Sequence, residues 1–201
     1  MDGVKSDGPE AIIFDFFGVI CSEIAPFWLG RYFSPEQAVS IKQTLVAEAD
    51  SGHISEHDLF RNLAQRAGIS ATQVKREWGD YVRIDADVVR FVREVRQSGI
   101  SSVALLSNSP SPFLRGILRA HALDHLFDDI IVSSEVGVAK PAPQIYSLAL
   151  ERLRVAPPKA VFVDDNPVNV QAAREIGMVG LLYASLPGLR LALPSVGRTV
   201  S

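Results

Sequence analysis

Four short apolar runs, each followed within a few residues by polar groups, constrain this chain more than any other feature of its sequence. They cover residues 11–14, 102–106, 130–132 and 160–163, with a weaker fifth at 179–183. Runs this short and rich in β-branched residues suit strands. Because they are apolar throughout rather than alternating, both faces must be covered, as in a parallel sheet. Helical segments with start and stop signals lie between them. Ser111-Pro112 reads as an N-cap and first-turn proline ahead of 113–120; Pro143 opens 144–153; Pro167 opens 168–176, which Gly177 closes. From residue 100 onward strand and helix alternate, which predicts a Rossmann-like, doubly wound α/β core.

Residues 22–84 carry helix signals and no convincing strand. Ser34-Pro35-Glu36-Gln37 has the form of a capping box, Ser55 can cap a helix that Gly68 stops, and Ser70 can cap the segment bearing Trp78. The expected organisation is therefore a core of residues 1–21 and 85–201, with an all-helical cap of residues 22–84 inserted after the first strand. Trp28, Tyr32, Phe33, Phe60 and Trp78 are expected to build the core of that cap, with one or two facing the cleft. Arg90, Arg93 and Arg96 recur at three-residue spacing and read as one solvated helix face. The tail after Leu186, with Pro187, Gly188, Pro194 and Gly197, reads as irregular.

Composition excludes several classes. The 20 Lys and Arg do not outnumber the 23 Asp and Glu, leaving a net charge of -3 and no basic excess for a nucleic-acid backbone. The lone Cys21 cannot form an internal disulfide, and without a Cys-x-x-Cys pair there is no structural zinc signature; it reads as a small buried apolar residue. His121 and His125 lack a further soft ligand and read as solvated or capping; His53 and His57 read as exposed loop residues of the cap. The polar start, 1–10, lacks the apolar core of a secretory signal, and no apolar stretch reaches spanning length. A soluble, cytoplasmic protein without membrane or nucleic-acid partners is expected.

In an open parallel sheet, ligands bind beyond the carboxyl ends of the strands. Asp15 follows the first strand there, Ser107-Asn108 the second, Lys140 lies a short way past the third, and Asp164-Asp165 follow the fourth. Three converging carboxylates repel one another unless a cation sits among them, and an all-oxygen set favours a hard ion such as Mg²⁺. Lys140 and the Ser107 hydroxyl then suit an anion beside that ion.

These residues, Phe14-Asp15-Phe16-Phe17-Gly18, Leu106-Ser107-Asn108-Ser109, Lys140-Pro141 and Val163-Asp164-Asp165-Asn166-Pro167-Val168-Asn169, resemble the four ordered motifs of the haloacid dehalogenase superfamily. The insert after the first motif is similar to the helical cap of the subgroup that includes haloacid dehalogenases and phosphoglycolate phosphatases, and 50–55 resembles a loop common in such caps. The resemblance implies a hydrolase in which Asp15 is the nucleophile and carries an aspartyl-phosphate. Ser107 and Asn108 would bind the phosphoryl group, and Lys140 would hold the nucleophile and the developing charge. Asp15, the carbonyl of Phe17, Asp164 and Asp165 would hold Mg²⁺, with Asn169 supporting them from behind.

One position departs from the phosphatase pattern. The family's phosphatases place a second Asp two residues after the nucleophile, where it protonates the leaving alcohol; here that residue is Phe17, which cannot transfer a proton. Loss of a positioned acid/base costs roughly 10²–10⁴-fold in rate. The expected activity is a Mg²⁺-dependent phosphatase acting on a small phosphorylated metabolite with a good leaving group, such as a sugar 1-phosphate or acyl phosphate. The alternatives are a 2-haloacid dehalogenase, which in this family carries an aromatic residue at that position but lacks the acids of the fourth motif, and a weakly active or inactive binding protein.

Overall fold

A computed structural model of the chain describes residues 8–98 and 102–193. The polar N-terminal segment is thus seen only from Gly8, and Pro194 and Gly197 of the tail lie outside the described residues. Five parallel strands, β1 (Ala11–Phe14), β2 (Ser102–Ser107), β3 (Asp129–Val132), β4 (Ala160–Asp164) and β5 (Val179–Leu182), form one sheet in the order β3-β2-β1-β4-β5. β1 sits at its centre, with Phe14 opposite Leu105 on one side and Val163 on the other. The continuous apolar runs are buried on both faces, and their period of two sorts the side chains. Ile12, Phe14, Leu105 and Val163 point to one layer, while Ile13, Leu106 and Phe162 point to the other.

The first layer holds α6 (Ala86–Gln97), α7 (Ser111–Ala120) and α11 (Leu186–Ala192); the second holds α9 (Pro143–Leu153) and α10 (Pro167–Glu175), with α8 (Ser133–Val136) a short turn after β3. The doubly wound expectation is met. Two details are corrected. Ser111 is the first residue of α7 rather than its N-cap, which is Pro110, and its Oγ instead donates to Glu135 at 2.5 Å. The tail is helical from Leu186 to Ala192: Ser185 caps it, Pro187 falls in the first turn where its missing N–H costs nothing, and Leu189 and Leu193 bury four residues apart against the sheet.

Between β1 and α6 run α1 (Ala25–Tyr32), α2 (Pro35–Ile41), α3 (Ala47–Asp50), α4 (Glu56–Ala67) and α5 (Ala71–Asp80). The signals at 34, 55, 68 and 70 act as read: Ser34 and Gln37 make a reciprocal capping box, Ser55 and Ser70 accept from Asp58 and Gln73 main chains, and Gly68 ends α4 at φ 69°. A wider π turn, Lys42–Val46, joins α2 to α3 and was not legible in the sequence. These helices enclose a separate apolar cluster around Trp28, Leu29, Leu63, Val74, Phe60 and Trp78, against which Tyr32 and Phe33 pack. The two connecting strands of chain run side by side, Ser22 N donating to Arg83 O at 2.9 Å and Asp85 N to Ile20 O at 2.9 Å. Arg90, Arg93 and Arg96 are exposed on α6. Among the described residues no helix is long and apolar enough to cross a membrane.

Candidate active site

The strand order reverses at β1, with β2 leaving to one side and β4 returning to the other, so their carboxyl ends open a crevice. Asp15 N donates to Val163 O at 2.8 Å, which prolongs the ladder by one residue and fixes the Asp15 Cα at the mouth. Phe16 N then donates to Asp15 Oδ1 at 2.7 Å, and the amides of Ile20 and Cys21 close the turn onto Phe16 O. Gly18 stands in this turn at φ 84°, and the space a Cβ would take there is filled by the Asp165 carboxylate. Only glycine permits both the backbone and the approach.

Lys140 Nζ lies 2.8 Å from Asp15 Oδ1 and 2.8 Å from Asp164 Oδ2, and also donates to Leu106 O at 3.0 Å. Its main chain is pinned by Asn108, whose amide exchanges two hydrogen bonds with Lys140 N and O at 2.9 and 2.8 Å. Asp164 is fully buried; beyond Lys140 it accepts from Asn166 N and from the Asn169 side chain. Asn169 therefore stands where its sequence position suggested, behind the acidic pair. Ser107 closes β2 with no exposed surface, and its Oγ has no hydrogen-bond partner. The cavity lining includes its neighbours Asn108 and Ser109 but not Ser107 itself.

Asp15, Asp164 and Asp165 each offer an oxygen within 4.8 Å of the others. Three carboxylates against the single Lys140 ammonium leave two uncompensated negative charges. Burial, against the pull of Lys140 and with the push of Asp164, holds the Asp15 carboxyl well above the ordinary range. Burial, with Glu23 and Asp164 adding, lifts Asp165 to about 6. Burial alone would lower the Lys140 ammonium, but Asp15 and Asp164 hold it raised. A hard divalent cation would offset this excess and suits the all-oxygen donors, so the residues present fit Mg²⁺.

A cavity of about 150 Å³ opens above these groups, under the helices. Its floor is Asp15, Lys140, Asp165 and Asn169; its opposite wall is apolar, with Ile24, Val46, Leu59, Phe60 and Trp78. Phe60 and Trp78 are thus the cap aromatics that face the cleft. Phe17 also lines it, stacked on Phe113 with ring centroids 6.2 Å apart, and both rings pack against core and cap clusters. Sequence reasoning missed Glu23, Lys42 and Asp50, which line the cavity as well. The four-residue spacing of Lys42, Val46 and Asp50 was the signal that could have found two of them. Cys21 is buried beside the nucleophile loop, and burial raises its thiol, as befits an inert residue. His53, His57, His121 and His125 are all exposed.

Residues 9–177 match the family model for haloacid dehalogenase-like hydrolases. The chain is 30% identical over 175 residues to the sesquiterpene phosphatase astK of Aspergillus oryzae, covering 86% of this chain and 88% of that one. It is 35% identical over 185 residues to (S)-2-haloacid dehalogenase 2 of Pseudomonas sp. strain CBS-3, covering 84% and 80%. Among solved structures, a HAD family enzyme of Bacteroides thetaiotaomicron, bt-2542, superposes with a TM-score of 0.76 at 18% identity over 93% of this chain and 99% of its own. The same enzyme in complex with magnesium and inorganic phosphate gives 0.75 at 19% identity, covering 90% and 99%. The chain belongs to the haloacid dehalogenase-like hydrolases.

Proposed function

We propose that the protein is a Mg²⁺-dependent phosphatase of small phosphorylated metabolites, working through a phosphorylated Asp15. The observation that carries this reading is the retained acidic pair Asp164-Asp165 beside Asp15, gathered with two negative charges in excess around Lys140. A halide-displacing site gains nothing from that excess. A phosphate could not approach it uncompensated, and Mg²⁺, held by Asp15, Asp165, the Phe17 carbonyl and the Asp164 edge, would supply the compensating charge. The magnesium and phosphate complex of the B. thetaiotaomicron enzyme and the phosphatase named among the relatives support the same reading.

In this mechanism the Asp15 carboxylate attacks phosphorus while Lys140, held by Asp164 and by the Leu106 carbonyl, steadies both the nucleophile and the charge gathering on the phosphoryl oxygens. Asn108 locks the Lys140 main chain and, from the cavity lining, offers its remaining amide hydrogen to those oxygens, while the Ser107 hydroxyl lies buried beneath it. Asn169 donates to both Asp164 oxygens and so keeps that carboxyl aimed at Lys140. Residues 22–84 act as the cap over a core of 1–21 and 85–201, and their apolar wall excludes water and receives the leaving group. That wall favours a leaving group with a carbon body, of aryl or acyl type, over a polyhydroxylated sugar. Because Phe17 transfers no proton, residue 17 gives no help to a poor leaving group.

The test is turnover of p-nitrophenyl phosphate, acetyl phosphate, sugar phosphates and 2-haloacids, with and without Mg²⁺, against Asp15→Asn. Phosphate release that needs both Mg²⁺ and Asp15 is expected. A second reading, 2-haloacid dehalogenase chemistry, is favoured by the aromatic ring at 17 and by the dehalogenase relative. Halide release that needs Asp15 and ignores Mg²⁺ would replace the first reading with it.

A further inference from the structure

The proton that residue 17 cannot supply needs another source, and of the two cavity carboxyls without an assigned task, Glu23 lies toward Lys42 at 3.9 Å and Asp50 has no such partner. Asp50 ends α3 and lines the cavity from the cap, on the same helical face as Lys42 and Val46. Its place is fixed by its main chain. Ser133 Oγ donates to the Asp50 carbonyl and accepts from Ser109 N at 3.0 Å, so one fully buried hydroxyl ties the cap loop to the loops after β2 and β3. Two residues on, Gly52 at φ 75° lies against the Ser134 backbone so closely that a Cβ would collide with its carbonyl. The Asp50 carboxyl itself makes no hydrogen bond to any described residue. Lys42, its nearest cationic neighbour on the helix, reaches instead toward Glu23 at 3.9 Å.

We propose that Asp50 is the general acid and base of the reaction, delivered from the cap to the leaving oxygen in place of the absent core aspartate. This rests on the phosphatase reading and goes beyond it, because it extends the substrates from activated phosphates to unactivated alkyl phosphates with an apolar body. In the first half-reaction the Asp15 oxygen bonds to phosphorus, the bond from phosphorus to the leaving oxygen breaks, and the Asp50 proton passes to that oxygen. In the second, Asp50 takes a proton from water as the water oxygen bonds to phosphorus and the bond to Asp15 breaks, releasing phosphate and restoring both carboxyls. The charged groups facing Asp50 are Lys42 on its own face, Glu23 from the loop after β1, and Lys140 from the floor. Burial, outweighing Lys42, places the Asp50 carboxyl at about 7, where it can both give and take a proton near neutrality.

The experiment compares n-hexyl phosphate, whose alkoxide leaves poorly, with p-nitrophenyl phosphate, whose phenolate needs no acid, in wild type, Asp50→Asn, Asp50→Glu and Asp15→Asn. Wild type should hydrolyse both. Asp50→Asn should lose roughly 10²–10⁴-fold in kcat/KM, which covers the steps up to release of the leaving group, on hexyl phosphate and less than about tenfold on p-nitrophenyl phosphate, and Asp50→Glu should recover part of the loss. Equal losses on the two substrates, no loss on either, or a wild type inert on hexyl phosphate alone would each overturn the role of Asp50 while leaving the phosphatase reading intact. A wild type inert on both, with Mg²⁺ present, would remove both claims. Should Asp50→Asn not fold, the wild-type pH profile decides: kcat/KM on hexyl phosphate should fall above about pH 7 while that on p-nitrophenyl phosphate does not. Parallel profiles would overturn the assignment.

Discussion

Gly18 and Lys140 are the residues on which the site's geometry turns. At Gly18 a side chain would meet two penalties at once, the positive φ of 84° and the Asp165 carboxylate already in its place. Gly18→Ala should therefore push Asp165 away and weaken Mg²⁺ binding roughly 10–100-fold, as loss of a supporting contact around a metal does. Calorimetric titration with Mg²⁺ reads this directly, and an unchanged affinity would mean that Asp165 is not a ligand. Lys140 pairs with two buried acids at once, so Lys140→Met keeps the stem's bulk but leaves Asp15 and Asp164 without their ion-pair partner. The cost should be about 3–5 kcal/mol in the metal-free protein. It would appear as a lower urea midpoint with an unchanged slope.

At the scale of elements, the strands and most helix ends were legible because their signals are local. Apolar runs fit for burial on two faces mark β1 to β4, and Ser34, Ser55, Gly68 and Ser70 punctuate the cap without help from the rest of the chain. The strand-end residues Asp15, Asn108, Lys140, Asp164 and Asp165 were legible for the same reason, since a parallel sheet gathers its carboxyl ends. What failed depended on contacts distant in sequence. The α11 helix forms because Leu189 and Leu193 find the sheet, and Asp50 reaches the cleft only because a π turn and Ser133 put it there. The Ser133 hook makes its own prediction. Ser133→Ala leaves the Asp50 carbonyl and Ser109 N–H without partners, which should cost about 1–3 kcal/mol. The loosened cap loop should also lower kcat/KM on hexyl phosphate more than on p-nitrophenyl phosphate, in the direction of Asp50→Asn but by less. Equal effects on the two substrates would mean that the hook serves stability alone.

For the whole molecule, the cleft concentrates acids whose folded-state carboxyls sit above the ordinary 3.8, Asp165 at about 6 and Asp50 at about 7. A raised carboxyl favours folding while it is protonated in both states, below the unfolded value, and that contribution is lost as pH rises through the folded value. In the metal-free protein the Asp165 and Asp50 contributions should therefore be present near pH 4 and gone above about pH 7. Carboxyls held low, such as Glu94 beside Arg190 and Glu135 beside Arg115, act in the opposite sense, so total stability against pH does not isolate the cleft. A difference does. The advantage of Asp50→Asn over wild type should grow between about pH 4 and about pH 8. The full shift is worth about 4 kcal/mol, reduced to about 2 kcal/mol for a half-buried group. Mg²⁺ should reverse the loss at Asp165, because protons and metal compete for the same oxygens. Saturating Mg²⁺, at about a hundredfold over its Kd, should add about 2.7 kcal/mol, with the gain in Tm larger at pH 8 than at pH 5 and absent in Asp165→Asn. A gain that survived Asp165→Asn, or that did not grow with pH, would place the ion elsewhere on the protein and leave the acidic excess of the cleft to be offset by some other cation.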